Sequence, residues 1–165
     1  MEGENLVAVC GLYCGACTLY RVRCDNNPQR LEEVIQTLSQ RGQEWTDDLD
    51  CDGCLSGGRL TPYCRDCDMR LCAAEKTGVT RCCDCPDFPC SLVNDFNNDG
   101  VRHHAEVIDN LRQIRESGAE AWLKEQQERW SCPKCGAQMD WYARTCFQCG
   151  AEQPYRLPRL PRDKK

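Results

Sequence analysis

The alternation of polar and apolar positions predicts three helices and little other regular structure. Asn27-Pro28 places a helix-capping residue before a proline at the first helical position. Leu31, Val34, Ile35 and Leu38 then fall at i, i+3, i+4 and i+7 on one apolar face, and Gly42 supplies a stop. A second stripe, Val101, Val107, Ile108, Leu111 and Ile114, predicts a helix over about 99–116. Ser117-Gly118-Ala119-Glu120 has capping-box spacing and predicts a third helix carrying Trp122 and Leu123 up to Trp130. Between Asp50 and Cys90 the periodicity disappears, and glycines and prolines punctuate a chain expected to be irregular.

Those stripes are too few to hold the chain together. Leu, Ile, Val and Phe account for 28 of 165 residues, while 28% are charged. Apolar surface on that scale does not offset the entropy of ordering a chain. The 17 cysteines are the alternative source of stability. Residues Met1 to Cys10 hold two glutamates, no basic start and no apolar run of signal-peptide length. No apolar run reaches the roughly eighteen residues of a membrane span. The expected compartment is therefore the cytoplasm, where thiols stay reduced and free to bind metal. An odd cysteine count also argues against complete disulfide pairing.

The cysteines divide into thirteen up to Cys90 and four from Cys132, with 41 cysteine-free residues between. Cys132-Pro133-Lys134-Cys135-Gly136 and Cys146-Phe147-Gln148-Cys149-Gly150 are two C-x2-C-G turns across a short spacer. Spacing of i, i+3 lets one tight turn present two sulfurs, and zinc prefers four tetrahedral ligands. These residues resemble the zinc-ribbon family, with Trp141 and Tyr142 expected on the intervening hairpin. Cys51, Cys54, Cys64 and Cys67 have suitable spacing for a second set, and Cys72, Cys82, Cys85 and Cys90 for a third. Cys10, Cys14 and Cys17 need a fourth ligand, of which Cys24 is nearest in sequence, leaving Cys83 spare. Spacing identifies these ligands but leaves their grouping open. About three to four zinc ions per chain are expected. The alternative is an iron–sulfur cluster on Cys10, Cys14 and Cys17, since thiolates alone do not separate the two metals. The C-x3-C-x2-C spacing also occurs in radical S-adenosylmethionine enzymes, but the remaining chain is too short for their barrel of roughly 200 residues.

Cys10-Gly11-Leu12-Tyr13-Cys14-Gly15-Ala16-Cys17, Cys51-Asp52-Gly53-Cys54, Cys64-Arg65-Asp66-Cys67, Cys72 and the run from Cys82 to Cys90 resemble a prokaryotic cysteine-rich family, domain of unknown function 3795, over about residues 6–117. The resemblance implies zinc binding through Cys10, Cys14, Cys17, Cys51, Cys54, Cys64, Cys67, Cys72, Cys82, Cys85 and Cys90, without Cys24 or Cys83. Eleven thiolates do not fill three separate four-thiolate sites. An Asp or His completes one, a thiolate bridges two metals, or two sites alone are fully built.

The fold class expected is a small metal-stabilised α+β protein. An irregular cysteine-rich zinc-binding domain occupies 1–98, a helical linker 99–130, a zinc-ribbon hairpin 131–153, and a flexible basic tail 154–165. Charge follows this division: residues 1–100 hold 9 Lys/Arg against 17 Asp/Glu, and residues 101–165 hold 12 against 9. An acidic first domain repels phosphate backbones.

No nucleophile–base motif, phosphate loop or H-E-x-x-H stands in the sequence. The function expected is a zinc-binding interaction or adaptor module with structural metal sites, a protein partner, no membrane and no catalytic residues. One alternative is nucleic-acid binding through Lys134, Arg144, Trp141, Tyr142 and the tail. Another is redox chemistry, on the N-terminal cysteines or on a spare thiol, Cys83 or Cys24, activated by Arg81 or Arg23. His103 and His104, adjacent on a helix, point about 100° apart and suit packing better than shared metal ligation.

Overall fold

A computed structural model describes the chain apart from residues 1, 2, 41, 43, 45–48, 155, 159 and 161–165. The architecture is mostly helical: α1 (Thr18–Asp25), α2 (Pro28–Gln40), α3 (Pro62–Arg65), α4 (Asp68–Ala74), α5 (Ser91–Asn97), α6 (Val107–Ser117) and α7 (Ala119–Arg129). Short 3-10 turns precede or separate them at Glu4–Leu6, Cys14–Ala16, Cys82–Asp84 and His104–Glu106. Pairing between extended segments is confined to isolated bridges among the described residues, Val7 with Tyr13, Ser131 with Gln138 and Thr145 with Glu152. This corrects the expected α+β class.

Asn27 starts α2 as its sequence predicts, its Oδ1 accepting the N–H of Gln29 at 3.0 Å and of Arg30 at 3.2 Å. The helix predicted over 99–116 begins later. Asp99 Oδ1 instead accepts the Val101 N–H at 2.8 Å, holding the segment in a turn. Nor does Ser117 cap the third helix. It ends α6, its hydroxyl donating back to Gln113 O at 2.8 Å, and Gly118 stands at the cap of α7. A hydroxyl satisfied by the preceding turn is not free for the next one.

One core joins the first residues to the late helices. Val7, Ala8, Val9, Tyr13 and Ala16 pack with Val107, Leu111 and Ile114 of α6 and with Trp122 and Leu123 of α7. Gly11 makes this approach available: its φ is +78°, and a Cβ there would lie 2.7 Å from Leu111 Cγ. Farther along α6, Arg115 donates to Cys83 O and Cys85 O and lies 4.8 Å over the Phe88 ring, fixing the Cys82–Asp84 turn. The segment expected as a flexible tail packs as well: Leu157 is buried in this core, and Arg129 Nη2 donates to Arg156 O at 2.8 Å. An apolar residue within reach of the core outweighs the basic character around it. Residues 155, 159 and 161–165 of that tail lie outside the described residues. No helix among the described residues is long and apolar enough to cross a membrane.

Candidate metal centre

The C-terminal site is built from one turn used twice, fourteen residues apart. In the first copy Cys132 N–H donates to Ala137 O at 2.8 Å and Gly136 N–H to Cys132 O at 2.8 Å. In the second, Cys146 N–H donates to Ala151 O at 2.9 Å and Gly150 N–H to Cys146 O at 2.8 Å. Gly136 and Gly150 sit at φ of 75° and 70°, left-handed values that favour glycine and close each turn. The expected hairpin does not form between them. Asp140 Oδ1 accepts the N–H groups of Tyr142 at 2.7 Å and Ala143 at 2.8 Å, and this side-chain turn takes the place of a strand ladder.

The two turns face each other and bring Cys132, Cys135, Cys146 and Cys149 together, their sulfurs all within 4.8 Å of one another. Across the site Cys132 Sγ lies 3.7 Å from Cys149 Sγ, and Cys135 Sγ 3.6 Å from Cys146 Sγ. A tetrahedron with metal–sulfur bonds of about 2.3 Å has edges of about 3.8 Å, so the cradle fits a thiolate-bound zinc-sized ion. Electrostatics favour a thiolate here. Desolvation opposes ionisation of Cys132, yet the Cys135 and Lys134 N–H groups and the neighbouring thiols pull it down to about 6. At Cys135 the Ala137 N–H favours the thiolate, but desolvation and the sulfurs of Cys149, Cys146 and Cys132 hold it at about 12. Gln153 Nε2 donates to Cys132 Sγ at 3.4 Å. Four thiolates would complete the shell of the ion and leave no position for a substrate.

This unit is seated on the first residues of the chain. Trp141 N–H donates to Ala16 O at 3.0 Å, between Cys14 and Cys17, and Tyr13 OH donates to Gln138 Oε1 at 3.1 Å. Arg30, buried at 1% exposure, forms ion pairs with Asp25 and Asp140 and lies 4.7 Å over the Phe147 ring. Trp141 packs on the main core and stacks against His103, centroids 4.1 Å apart. His103 Nδ1 also meets Tyr142 OH at 2.8 Å, and burial, followed by His104, drives its pKa down to about 3. His104 stacks on Phe96 and contacts Asp99 at 2.7 Å. Both histidines thus serve packing.

The N-terminal thiols interleave. Cys51 and Cys64 act on one another's ionisation, as do Cys54 and Cys14. Val9 N–H donates to Cys54 Sγ at 3.2 Å and Gly53 N–H to Cys51 Sγ at 3.4 Å. The Cys64 thiol, against desolvation and with help from the Thr61 and Gly53 N–H groups, lowers Cys51 to about 6. The Cys14 thiol, also against desolvation, lowers Cys54 to about 7. Burial raises the Cys10 thiol, and Cys54, Cys67 and Cys82 are the thiols that act on it. Cys72, Cys82, Cys85 and Cys90 line a cavity of about 30 Å³, where Lys76 Nζ reaches Cys85 Sγ at 3.2 Å. Cys24 is exposed on α1, where, second to burial, it raises the pKa of Tyr20. Cys83 is buried, and the lowering expected from Arg81 is reversed: desolvation, followed by Asp84, pushes it up to about 11. Sequence reasoning missed Arg30 and Asp140, which carry no spacing signature.

A helical, thiol-rich body with one formed four-cysteine cradle defines a cysteine-rich protein able to hold a metal ion. The chain belongs to the family described as protein of unknown function, DUF3795, whose profile matches residues 6–95. The C-terminal cradle lies beyond that match. No curated protein and no solved structure matches the chain.

Proposed function

We propose that this chain is a zinc-binding protein of the cytoplasm whose C-terminal site is structural and whose surfaces serve a protein partner as an adaptor. The observation that carries the reading is the four-sulfur cradle, with cross-site separations of 3.6 and 3.7 Å. Its closed shell suits a fixed ion better than a reacting one. The unit also rests on Ala16 and Tyr13, so an ion there would brace the helical body as well as its own two turns. A reducing compartment keeps such thiols available.

Metal analysis of the purified chain, with a visible spectrum and an assay for acid-labile sulfide, tests the metal. The expected result is colourless protein carrying zinc, with one zinc fewer in Cys135→Ser. Iron with sulfide in coloured protein would overturn the assignment. Cross-linking of the zinc-loaded chain in cells, followed by reconstitution with each captured protein, tests the adaptor role. A defined complex that survives on the zinc-loaded chain and is lost on chelation supports it.

A further inference from the structure

We infer that the C-terminal cradle is a latch on the Cys14–Cys17 turn: an ion held there shields the Cys14 and Cys17 thiols, and its loss exposes them. The inference rests on the reading of the cradle as a metal site and adds a distant pair of thiols that its occupancy controls. The link runs through the spacer between Cys135 and Cys146, which is fastened to the start of the chain at Gln138, Asp140 and Trp141. Gln138 Oε1 accepts the Tyr13 hydroxyl at 3.1 Å. Trp141 N–H donates to Ala16 O at 3.0 Å. Asp140 ion-pairs with Arg30, which is buried and also holds Asp25 at the end of α1. These contacts bracket the turn. Tyr13 precedes Cys14, Ala16 lies between the two cysteines, and α1 begins directly after Cys17.

Each end of the link is fixed locally. Ala16 N–H donates to Tyr13 O at 3.1 Å and Cys17 N–H to Cys14 O at 2.9 Å, so the residues from Tyr13 to Cys17 move together. A Cβ on Gly15 would lie 2.2 Å from Tyr13 Cζ, so the glycine lets the ring lie across the turn and reach Gln138. On the other side, Gln138 Nε2 donates to Ser131 Oγ at 2.8 Å and to Gln127 O at 3.1 Å, which turns the amide oxygen toward Tyr13. Asp140 uses Oδ1 for the Tyr142 and Ala143 N–H groups and Oδ2 for Arg30, so one carboxylate serves both the bend of the spacer and the ion pair. Metal–sulfur bonds would pin the spacer at both ends, because Cys135 precedes it and Cys146 follows it. Without the ion, the same contacts must order a freer segment, at a cost in entropy. Ala16 is fully buried while Cys14 and Cys17 on either side are half-buried, so lifting the spacer uncovers that turn and its thiols. By linkage, a change at either end must be felt at the other.

Alkylation of the zinc-loaded full chain with N-ethylmaleimide, followed by peptide mapping, reads each thiol separately. In Cys135→Ser, Cys14 and Cys17 are expected to label at least about fivefold faster than in wild type, the lower end of coupling between sites. Cys85 and Cys90, in a cavity that shares no residue with the latch, are expected to keep their wild-type rates. A reciprocal variant, Tyr13→Phe, keeps every cysteine. In it the chelator concentration that frees Cys135 and Cys149 for labelling is expected to fall about fivefold, as the loss of one hydrogen bond predicts. Unchanged Cys14 and Cys17 rates in Cys135→Ser, with Cys132, Cys146 and Cys149 freely labelled, overturn the latch and leave the metal site standing. Should Cys85 and Cys90 rise equally, that variant has unfolded and Tyr13→Phe decides: a shifted chelation midpoint supports the latch, and an unmoved one overturns it. Wild-type cradle thiols that label fully before any chelator is added overturn the metal reading itself, and the latch with it.

Discussion

Burying Arg30 at 1% exposure takes a guanidinium out of water, and Asp25 and Asp140 supply the opposing charge. Removing one partner of such an arrangement leaves a buried carboxylate without its counterion, at a cost of about 3–5 kcal/mol. Arg30→Ala is therefore expected to lower the urea-unfolding free energy of the metal-loaded chain by roughly that amount; a loss below about 1 kcal/mol would show the pair to be incidental. His103 adds a pH dependence. Its folded pKa lies near 3, below the ordinary value of 6.5, so the stability held by neutral His103 is fully present above 6.5 and is lost as pH falls toward 3. Relative to His103→Phe, the wild type is expected to lose about 1 kcal/mol between pH 7 and pH 5.5, measured by denaturant titration of both at each pH. Parallel pH profiles for the two proteins would remove His103 as the cause.

Among the elements, α2 and the paired cysteine turns are the most self-contained. The Asn27 side chain caps two N–H groups, so Asn27→Ala is expected to cost about 1 kcal/mol in thermal or urea unfolding. Cys135→Ser should release the C-terminal ion and loosen contacts well outside the site, because Met139 N–H donates to Trp130 O and Trp141 N–H to Ala16 O. A red shift in tryptophan emission with retained far-ultraviolet dichroism would report this undocking; unchanged emission would mean that the seat persists without metal. These elements were legible because their signals are local: a cap followed by proline, and two cysteines in one turn with glycine behind them. The start of α7 was not legible. Ser117 and Glu120 have the spacing of a capping box, but α6 runs through Ser117 and claims its hydroxyl.

At the scale of the whole molecule, the thiols are the expected source of stability. With 28 Leu, Ile, Val and Phe among 165 residues, packing is too sparse to stand alone, and structural zinc contributes on the order of 10 kcal/mol per site. A strong chelator is expected to collapse the far-ultraviolet dichroism, and re-addition of zinc under reducing conditions to restore it. An unchanged spectrum after complete metal removal would show that the core of Val7, Leu111 and Trp122 suffices. Because that core joins the first residues to α6 and α7, unfolding of the N-terminal part and of the late helices should be one transition rather than two.

By itself the sequence determined the amphipathic face of α2, the two cysteine turns at Cys132–Cys135 and Cys146–Cys149, and the shortage of apolar residues that draws attention to the thiols. Each follows from spacing over a few residues, where backbone geometry leaves few choices. Only the tertiary structure decided that Val9 N–H reaches Cys54 Sγ, that Gly53 lies against Cys14, that Arg30 reaches Asp140, and that Trp141 packs on the main core against His103. Those pairings join residues tens of positions apart. Their physical cause is the approach of one segment to another, through Gly11 under Leu111 and Gly53 under Asn5, which no local pattern of residues expresses.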